Sequence, residues 1–195
     1  IDKDVFLTIT NKSLPIKKNK KRHYKKVVTR EHKRLLGESI DNRPKEIDTR
    51  EDFGHWEMDT VKGVRYQKSC LLVLTETKTR KEYIFKLLNQ GAAAVVEKLD
   101  LLEKEWGHLF SKVFKTITMD NGVEFSFYDL MKRSVFDEKK DRTKLFYCHP
   151  YSSFERGTNE VQNKLIRRHL PKKTNFEDKT DEEIQAIENW INEYP

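Results

Sequence analysis

The sequence predicts an α/β fold in which helices cover both faces of a single sheet. Three successive stretches have the composition of strands, and a segment with helical periodicity follows them. After that segment, strand-like and helix-like stretches alternate toward the C-terminal end. This order of elements is typical of helices packed on a sheet and not of a helical bundle.

The first three predicted strands differ in their side-chain patterns. The first alternates, with Trp56 and Met58 on one face and Asp59 on the other. The second is a continuous apolar run, as expected for a strand covered on both faces. The third is rich in aromatic and branched residues, which favour strands. These strands are "HWEMDTV" (55–61), "CLLVLTE" (70–76) and "EYIFKLL" (82–88).

The later elements are predicted from periodicity and capping. A helix is predicted over 91–106, where apolar residues recur on one stripe at helical spacing. A last helix is predicted from Thr180, because Glu183 completes a capping box. Between these two helices the sequence predicts a strand over 113–119, a shorter helix over 124–133, a strand over 145–148 and a helix over 155–170.

The sequence argues against a membrane-spanning protein and against a secreted one. Charged and hydrophobic residues each make up 36% of the 195 residues, and no apolar run approaches the roughly 20 residues of a membrane span. The start of the sequence does not resemble a signal peptide. Cys70 and Cys148 lie far apart and no C-x-x-C pair exists, which favours two buried, reduced thiols over a structural zinc site. A soluble, cytoplasmic protein is expected.

The net charge of +7 originates in one short segment. "KKNKKRHYKK" (17–26) contains seven Lys or Arg and no acid; subtracting seven from 39 leaves 32 basic residues against 32 acidic ones. A basic arm on a neutral body suits a polyanion, and the alternative is a solvated, disordered charge run. The candidate binding residues in the arm are Lys17, Lys18, Lys20, Lys21, Arg22, Lys25 and Lys26.

Three carboxylates are candidates for a metal site. Asp59 lies inside the first strand, where an unpaired carboxylate is costly. Asp120 closes the fourth strand in "TMDNGVEF" (118–125), and Glu160 lies in the helix after the fifth. Ligand sites of α/β sheets gather at the carboxyl ends of strands, and carboxylate oxygens suit Mg²⁺. Because Asn-Gly is also a strong turn signal, the spacing alone leaves open that Asp120 is a turn residue.

The residues that flank these acids decide between the two interpretations. "GHWEMDTV", "TMDNGVEF" and "HPYSSFERGTNEVQNKLIRRHLPKKTNF" closely resemble the integrase-like catalytic core of bacterial insertion-sequence transposases of the family numbered thirty. The resemblance covers roughly residues 43–195. It implies an RNase H-like fold, with a five-stranded mixed sheet flanked by helices on both faces. It also implies an acid triad of Asp59, Asp120 and Glu160 that uses Mg²⁺ or Mn²⁺, with two ions in the substrate complex.

The sequence departs from the family pattern beside two of the acids. Met58 stands where the family usually has Gly before its first Asp, and Val161 follows Glu160 where Asn is usual. Neither change removes a metal ligand. Both are expected to bear on the geometry or activity of the site.

The helix that carries the third acid adds an argument for DNA binding. Glu160, Lys164 and Arg167 lie at i, i+4 and i+7, on one stripe that would hold DNA phosphates over the metals, and Arg168 extends the basic surface. The alternative is ordinary Glu–Lys pairing on a helix surface. Glu155 lies five positions before Glu160, about 140° away around the helix axis, so both cannot face the same metals. The family pattern selects Glu160, and the helix start explains Glu155.

The resemblance also predicts an organisation and an activity. Residues 51–195 are expected to form a C-terminally truncated core, and residues 1–50 a basic arm or linker after a missing N-terminal DNA-binding region. The expected activity is metal-dependent cleavage at the ends of a mobile element, followed by attack of the 3′-OH on target DNA. The expected partners are terminal repeats, target DNA and further copies of the chain, at the bacterial nucleoid and without a membrane. Two alternatives stay open: an inactive or domesticated DNA-binding relative, and a nuclease of RNA–DNA hybrids.

Overall fold

The computed structural model describes residues 35–150 and 152–194, except for the side chains at positions 153, 154 and 160. The seven basic residues predicted in the arm, between positions 17 and 26, lie outside these ranges.

Five strands form one sheet in the order β3-β2-β1-β4-β5. β2 is antiparallel to both of its neighbours, whereas β4 is parallel to both β1 and β5. The predicted five-stranded mixed sheet is therefore confirmed. The strands are β1 (His55–Lys62), β2 (Cys70–Glu76), β3 (Glu82–Leu87), β4 (Thr116–Met119) and β5 (Lys144–Tyr147).

Helices cover both faces of this sheet, as predicted. On one face Met58 of β1 packs in a buried cluster with Leu99 of a long helix, and on the other Val61 packs with Ile166 of a later helix. The alternation predicted for the first strand therefore separates two cores. The helices are α1 (Ala92–Trp106), α2 (Phe110–Val113), α3 (Tyr128–Lys132), α4 (Gly157–His169) and α5 (Asp181–Glu193).

The central strand β2 contributes to both cores. Leu72 and Leu74 belong to the α1 side, and Leu71 and Val73 to the side of α4 and α5. All four side chains are fully buried, which explains the continuous apolar run. Burial of each is worth about 1.5–3 kcal/mol, so this strand anchors the sheet on which the candidate site is built.

Three elements differ from the prediction by more than one residue. β4 begins at Thr116, because the chain is still helical through Val113 and Phe114 stacks on Phe110. The helix predicted over 124–133 is a 3-10 turn (Val123–Phe125) followed by α3. The helix predicted over 155–170 starts with a second 3-10 turn (Ser153–Arg156), which leads into α4. The predicted capping box of Thr180 and Glu183 is present at the start of α5.

Residues 35–50 pack against the edge of the sheet. The backbone N–H of Tyr147 in β5 donates to the carbonyl of Glu38, and Ser39 forms a bridge with the same strand. Ile47 is buried at 7% exposure. The packed body therefore begins before residue 51, where the sequence analysis placed the end of the arm.

The cysteines and the helix lengths bear on two further predictions from the sequence. Cys70 and Cys148 are both free and buried, as predicted. Among the described residues, no helix is long and apolar enough to cross a membrane.

Candidate active site

Two of the three predicted acids meet at one edge of the sheet. β1 and β4 are parallel neighbours, and their register pairs Glu57 with Thr118. Continued by two residues, that register sets Asp59 level with Asp120. Because the carboxyl ends of parallel strands share an edge, the two carboxylates converge there. This arrangement favours the site interpretation of Asp120 over the turn interpretation.

One arginine joins the two carboxylates. Arg156, at the end of the 3-10 turn before α4, places Nη1 3.2 Å from Oδ1 of Asp59 and Nη2 3.2 Å from Oδ2 of Asp120. Its side chain is 10% exposed, whereas those of Asp59 and Asp120 are 22% and 43% exposed. The motif around Asp59 offers no cationic partner in sequence; the structure supplies one from the third motif. Sequence reasoning missed Arg156.

The buried charges shift the pKa values of these groups. Burial opposes the charge on Arg156, but Asp59 and Asp120 outweigh it, so the pKa of the guanidinium lies above its usual value. Burial raises the pKa of Asp120; Arg156 opposes this rise and the charge of Asp59 adds to it. The two acids thus repel each other and share one cation, which is the electrostatic condition for binding a further positive charge.

Each carboxylate is also held by a neutral donor. The side-chain amide of Asn163 in α4 donates to Oδ2 of Asp59 over 2.9 Å, and the backbone N–H of Gly122 donates to Oδ1 of Asp120 over 2.9 Å. These bonds fix the orientation of both acids. Asn163 was not predicted, although it lies three residues after Glu160 on the same helix.

A side chain at position 122 would crowd the carboxylates, although the backbone conformation there is an ordinary one. A Cβ at this position would lie 2.6 Å from Oε2 of Glu124 and 3.0 Å from Oδ1 of Asp120. The preceding Asn121 donates from its side chain to the carbonyl of Cys148 over 2.6 Å, which ties the end of β4 to the end of β5. The Asn-Gly pair therefore brings the chain close past two carboxylates.

Glu124 is a third carboxylate at this edge. It is 6% exposed, and its Oε1 accepts hydrogen bonds from Thr60 over 2.7 Å and from Gln90 over 2.8 Å. Burial opposes its ionisation, but the hydrogen bonds from Thr60 and Gln90 and the charge of Lys62 lower its pKa. Its negative charge adds to the rise in the pKa of Asp120, so Glu124 acts on the site through charge and through the packing around Gly122.

Helix α4 runs beside β1 in the same direction. The backbone N–H of Asn159 donates to Oε2 of Glu57, Asn163 contacts Asp59, and Nη2 of Arg167 donates to the carbonyl of Lys62. Position 160 therefore lies on a helix aligned with the strand that carries Asp59. The side chain of Glu160 is outside the described part of the structure, so its role as third acid stays a prediction.

Glu155 has a different set of contacts from the one expected at a helix start. Its carboxylate accepts from the backbone N–H of His149 over 2.9 Å and lies 2.8 Å from Nδ1 of the same residue. Asp41 lies 3.0 Å from the other ring nitrogen. Hydrogen bonds to Glu155 and Asp41 raise the pKa of His149. Glu155 thus holds the loop after β5, and His149 is tied to two acids and is not a freely solvated loop residue.

The predicted DNA-binding residues on α4 fall into two groups. Lys164 and Arg168 are exposed, and Arg168 also lies over the ring of Tyr194, 5.5 Å from its centroid. Arg167 is half-buried, and its guanidinium donates to the carbonyls of Lys62 over 2.6 Å and of Leu170 over 3.4 Å.

The two departures from the family pattern do not crowd the carboxylates. Met58 is fully buried on the α1 side of the sheet, opposite Asp59, and only its carbonyl faces Arg156, at 3.4 Å. Val161 is 58% exposed.

The donor set suits a hard divalent cation. Two carboxylates, partly open to solvent, converge on one positive group, and Mg²⁺ or Mn²⁺ prefers such oxygens together with water. Among the described side chains, which exclude that of Glu160, no three His, Cys, Asp or Glu converge on one point. Asp59 and Asp120 are therefore the residues that would hold the metal, and Arg156 would compete with it for the same oxygens.

Comparison with known proteins places this site in context. No protein-family model matches the sequence. The chain is 34% identical over 157 residues to the transposase for insertion sequence element IS4351 of Bacteroides fragilis. This match covers 80% of this chain and 44% of the relative. It is 31% identical over 159 residues to transposase InsI for insertion sequence element IS30C of Escherichia coli (strain K12), which covers 82% of this chain and 39% of the relative.

A third relative is the probable transposase for insertion-like sequence element IS1161 of Streptococcus salivarius, 35% identical over 181 residues, 90% of this chain and 46% of the relative. The chain thus spans less than half the length of these relatives.

A solved structure shares the fold. A chain in the cryoEM structure of the simian T-cell lymphotropic virus intasome, in complex with PP2A regulatory subunit B56 gamma, superposes with a TM-score of 0.52 at 15% identity. The match covers 72% of this chain and 49% of the other. At this identity the likeness shows the fold alone, and it agrees with the RNase H-like sheet flanked by helices that is predicted from the sequence.

Proposed function

We propose, from the similarity of this chain to transposases of insertion sequence elements, that it is the catalytic core of a DNA transposase of the IS30 type. The reaction would cleave a phosphodiester bond at the end of a mobile element and join the freed 3′-OH to target DNA. The observation that carries the proposal is the pair of carboxylates, Asp59 and Asp120, converging on one cation at the carboxyl edge of parallel strands.

The residues of the chain would act by holding and orienting. Asp59, fixed by Asn163, and Asp120, fixed by the N–H of Gly122, would hold Mg²⁺ or Mn²⁺, with Glu160 as the third ligand. A bound metal pair supplies Lewis-acid activation of the attacking oxygen and neutralises charge at phosphorus and at the leaving oxygen. Cleavage and strand transfer are both in-line displacements at phosphorus, so one set of carboxylates serves both. Rate enhancement would come from positioning and electrostatics, without a protein nucleophile.

The partners follow from the same reaction. Terminal repeats and target DNA would be the substrates, and a homo-oligomer would bring two element ends together at the bacterial nucleoid. The basic arm at positions 17–26 and Lys164 and Arg168 on α4 would contact DNA phosphates.

The test compares two glutamates in nicking of a supercoiled plasmid. Glu160→Gln is expected to abolish Mg²⁺-dependent nicking, whereas Glu155→Gln, whose partner is His149, is expected to retain most of it. Both variants are assayed at matched occupancy of DNA, with a folded-state check by circular dichroism. An active Glu160→Gln beside an inactive Glu155→Gln would refute the assignment.

The same assay separates the two alternatives. Parallel reactions contain an RNA–DNA hybrid. Cleavage of the hybrid without nicking of DNA would identify a hybrid nuclease, and tight DNA binding without any cleavage would identify an inactive relative.

A further inference from the structure

Five exposed basic side chains lie on two segments beyond the carboxylate site. Lys62 ends β1, Arg65 and Lys68 follow in the β1–β2 connection, and Lys172 and Lys173 lie in the turn after α4; together they are named the basic rim. Among the described residues, none of the five forms an ion pair with an acid. Lys173 has φ 76°, where glycine is favoured, so a lysine there carries a conformational cost.

The rim lies at the same edge of the sheet as the carboxylates. β1 continues for three residues from Asp59 to Lys62, about 10 Å at strand spacing, and then enters the connection. The charge of Lys62 also lowers the pKa of Glu124, which itself acts on Asp120. The rim therefore begins within electrostatic reach of the site.

The two segments are held together as one surface. Gly63 packs so closely on the turn after α4 that a Cβ would lie 2.5 Å from the carbonyl oxygen of Thr174. Arg167 bridges the same two segments, because it donates to the carbonyls of Lys62 and Leu170. The backbone N–H of Gln90 donates to the carbonyl of Lys68 over 2.8 Å at the other end of the connection. Arg167 thus holds the two segments of the basic rim together through these two hydrogen bonds.

An aromatic side chain stands at the tip of the connection. Tyr66 is 89% exposed, with Arg65 and Lys68 on either side in sequence. A solvated tyrosine between cations has a flat apolar ring to place against a sugar or base and a hydroxyl that hydrogen-bonds. Phosphate-binding cations with an aromatic contact between them form a surface suited to nucleic acid.

We propose that the basic rim binds the DNA duplex on one side of the cleaved bond, with Tyr66 against the groove. The inference rests on the proposed function for the position of the cleaved bond. The connection spans at most four residues from Lys62 to Tyr66, about 13 Å further out. At about 3.4 Å per base pair, Tyr66 would meet the duplex roughly three to seven base pairs from the cleaved bond.

Binding to a mixed-sequence duplex is measured by fluorescence anisotropy at several salt concentrations without divalent metal, so that it is independent of cleavage. Arg65→Gln, Lys68→Gln, Lys172→Gln and Lys173→Gln are combined in one rim variant. Its slope of log K against log salt is expected to be shallower by about three to four. The matched control neutralises four exposed lysines elsewhere: Lys78, Lys104, Lys112 and Lys139. Equal slope changes in the two variants would overturn the proposal.

Tyr66 has its own readouts. Tyr66→Ala is expected to weaken binding to the duplex by roughly two- to tenfold, because one hydrogen bond is lost, and the salt slope is expected to stay unchanged because no charge is lost. Because Cys70 and Cys148 are buried, a photo-crosslinker can be attached selectively to a Tyr66→Cys variant. Crosslinks are expected within about three to seven base pairs of the nick; crosslinks spread along the duplex would contradict the placement. The rim variant could show a shallower salt slope while the wild-type protein shows no nicking activity. That result would support DNA binding by the basic rim and would contradict only the proposed function.

Discussion

Two arginines in this molecule each join two carboxylates, and their surroundings differ. The side chain of Arg142 is completely buried; Nη1 lies 2.6 Å from Asp100 and 3.3 Å from Glu103, and Nε and Nη2 donate to backbone carbonyls. Arg156 lies 3.2 Å from each of its acids, and among the described residues its buried Nε has no partner.

The acids of the two clusters differ in the same way. Glu103 is 5% exposed at its side chain and also accepts from Ser134 and from the N–H of Val135. Asp120 is 43% exposed, with one backbone donor besides Arg156. The two remaining acids, Asp100 and Asp59, are similarly exposed at 21% and 22%, so the first cluster is the more closed one only at Glu103; it ties α1 to the segment before β5. The second has weaker contacts and open oxygens, so its arginine can be exchanged for another cation.

Breaking the closed cluster is expected to have the largest effect on stability. Arg142→Gln leaves Asp100 and Glu103 of α1 without their cation. Breaking a buried pair costs about 3–5 kcal/mol, and because Asp100 is 21% exposed the low end of that range, about 3 kcal/mol, is expected. Urea unfolding at neutral pH, followed by circular dichroism, measures the difference. A loss below about 1 kcal/mol would show that this cluster is as exchangeable as the one at the site.

A buried acid with no cation sharpens the comparison. Glu82 at the edge strand β3 is completely buried; Oε2 has no partner among the described residues, and the negative charge of Glu188 also acts on it. Burial raises its pKa from 4.5 to about 7, and Thr75 only partly offsets this. Because the folded state holds the proton more tightly, this group's contribution to stability is lost as pH rises from about 4.5 to 7.

The variant Glu82→Gln is therefore expected to gain on the wild type as pH rises, by up to about 3 kcal/mol at pH 8. Unfolding is measured for both proteins between about pH 4.5 and 8. Parallel pH profiles would mean that the pKa of Glu82 is not raised in the folded protein.

Breaking the open cluster at Arg156 is expected to have the smallest effect on stability. Arg156→Gln should lose less than about 2 kcal/mol in the absence of metal, because solvent reaches both carboxylates. The same change is expected to tighten Mn²⁺ binding by about tenfold, since the competing cation is gone. Calorimetric titration with Mn²⁺ measures the affinity, and Arg142→Gln, at a temperature where it stays folded, is the control. Weaker Mn²⁺ binding by Arg156→Gln would show that Arg156 supports the metal and does not compete with it.

The sequence predicted those features that depend on local pattern. Alternation in β1 placed Asp59 opposite Met58, and the apolar run of β2 predicted a strand between two cores. The capping box at Thr180 gave the start of α5. Each of these features depends on neighbours within a few residues along the chain, which a sequence displays directly.

Local sequence patterns did not predict the contacts that long side chains make with residues distant in sequence. Arg156 reaches two strands from a 3-10 turn, and nothing in "ERGTNE" states where its guanidinium points. The packing of residues 35–50 also depends on partners about a hundred positions away, such as Tyr147. Arg167 was predicted from a helical stripe to face DNA. The sequence did not predict that its guanidinium donates to the carbonyl of Lys62 at the end of β1.

The most direct measurement compares one acid from each arginine cluster. Asp120→Asn and Asp100→Asn each remove one negative charge beside an arginine, and both are assayed for Mg²⁺-dependent plasmid nicking at a temperature where both are folded. Asp120→Asn is expected to lower the nicking rate by about a hundredfold or more, whereas Asp100→Asn is expected to stay near the wild-type rate and to lose only stability. Near wild-type nicking by Asp120→Asn would contradict the assignment of the carboxylate pair as the active site.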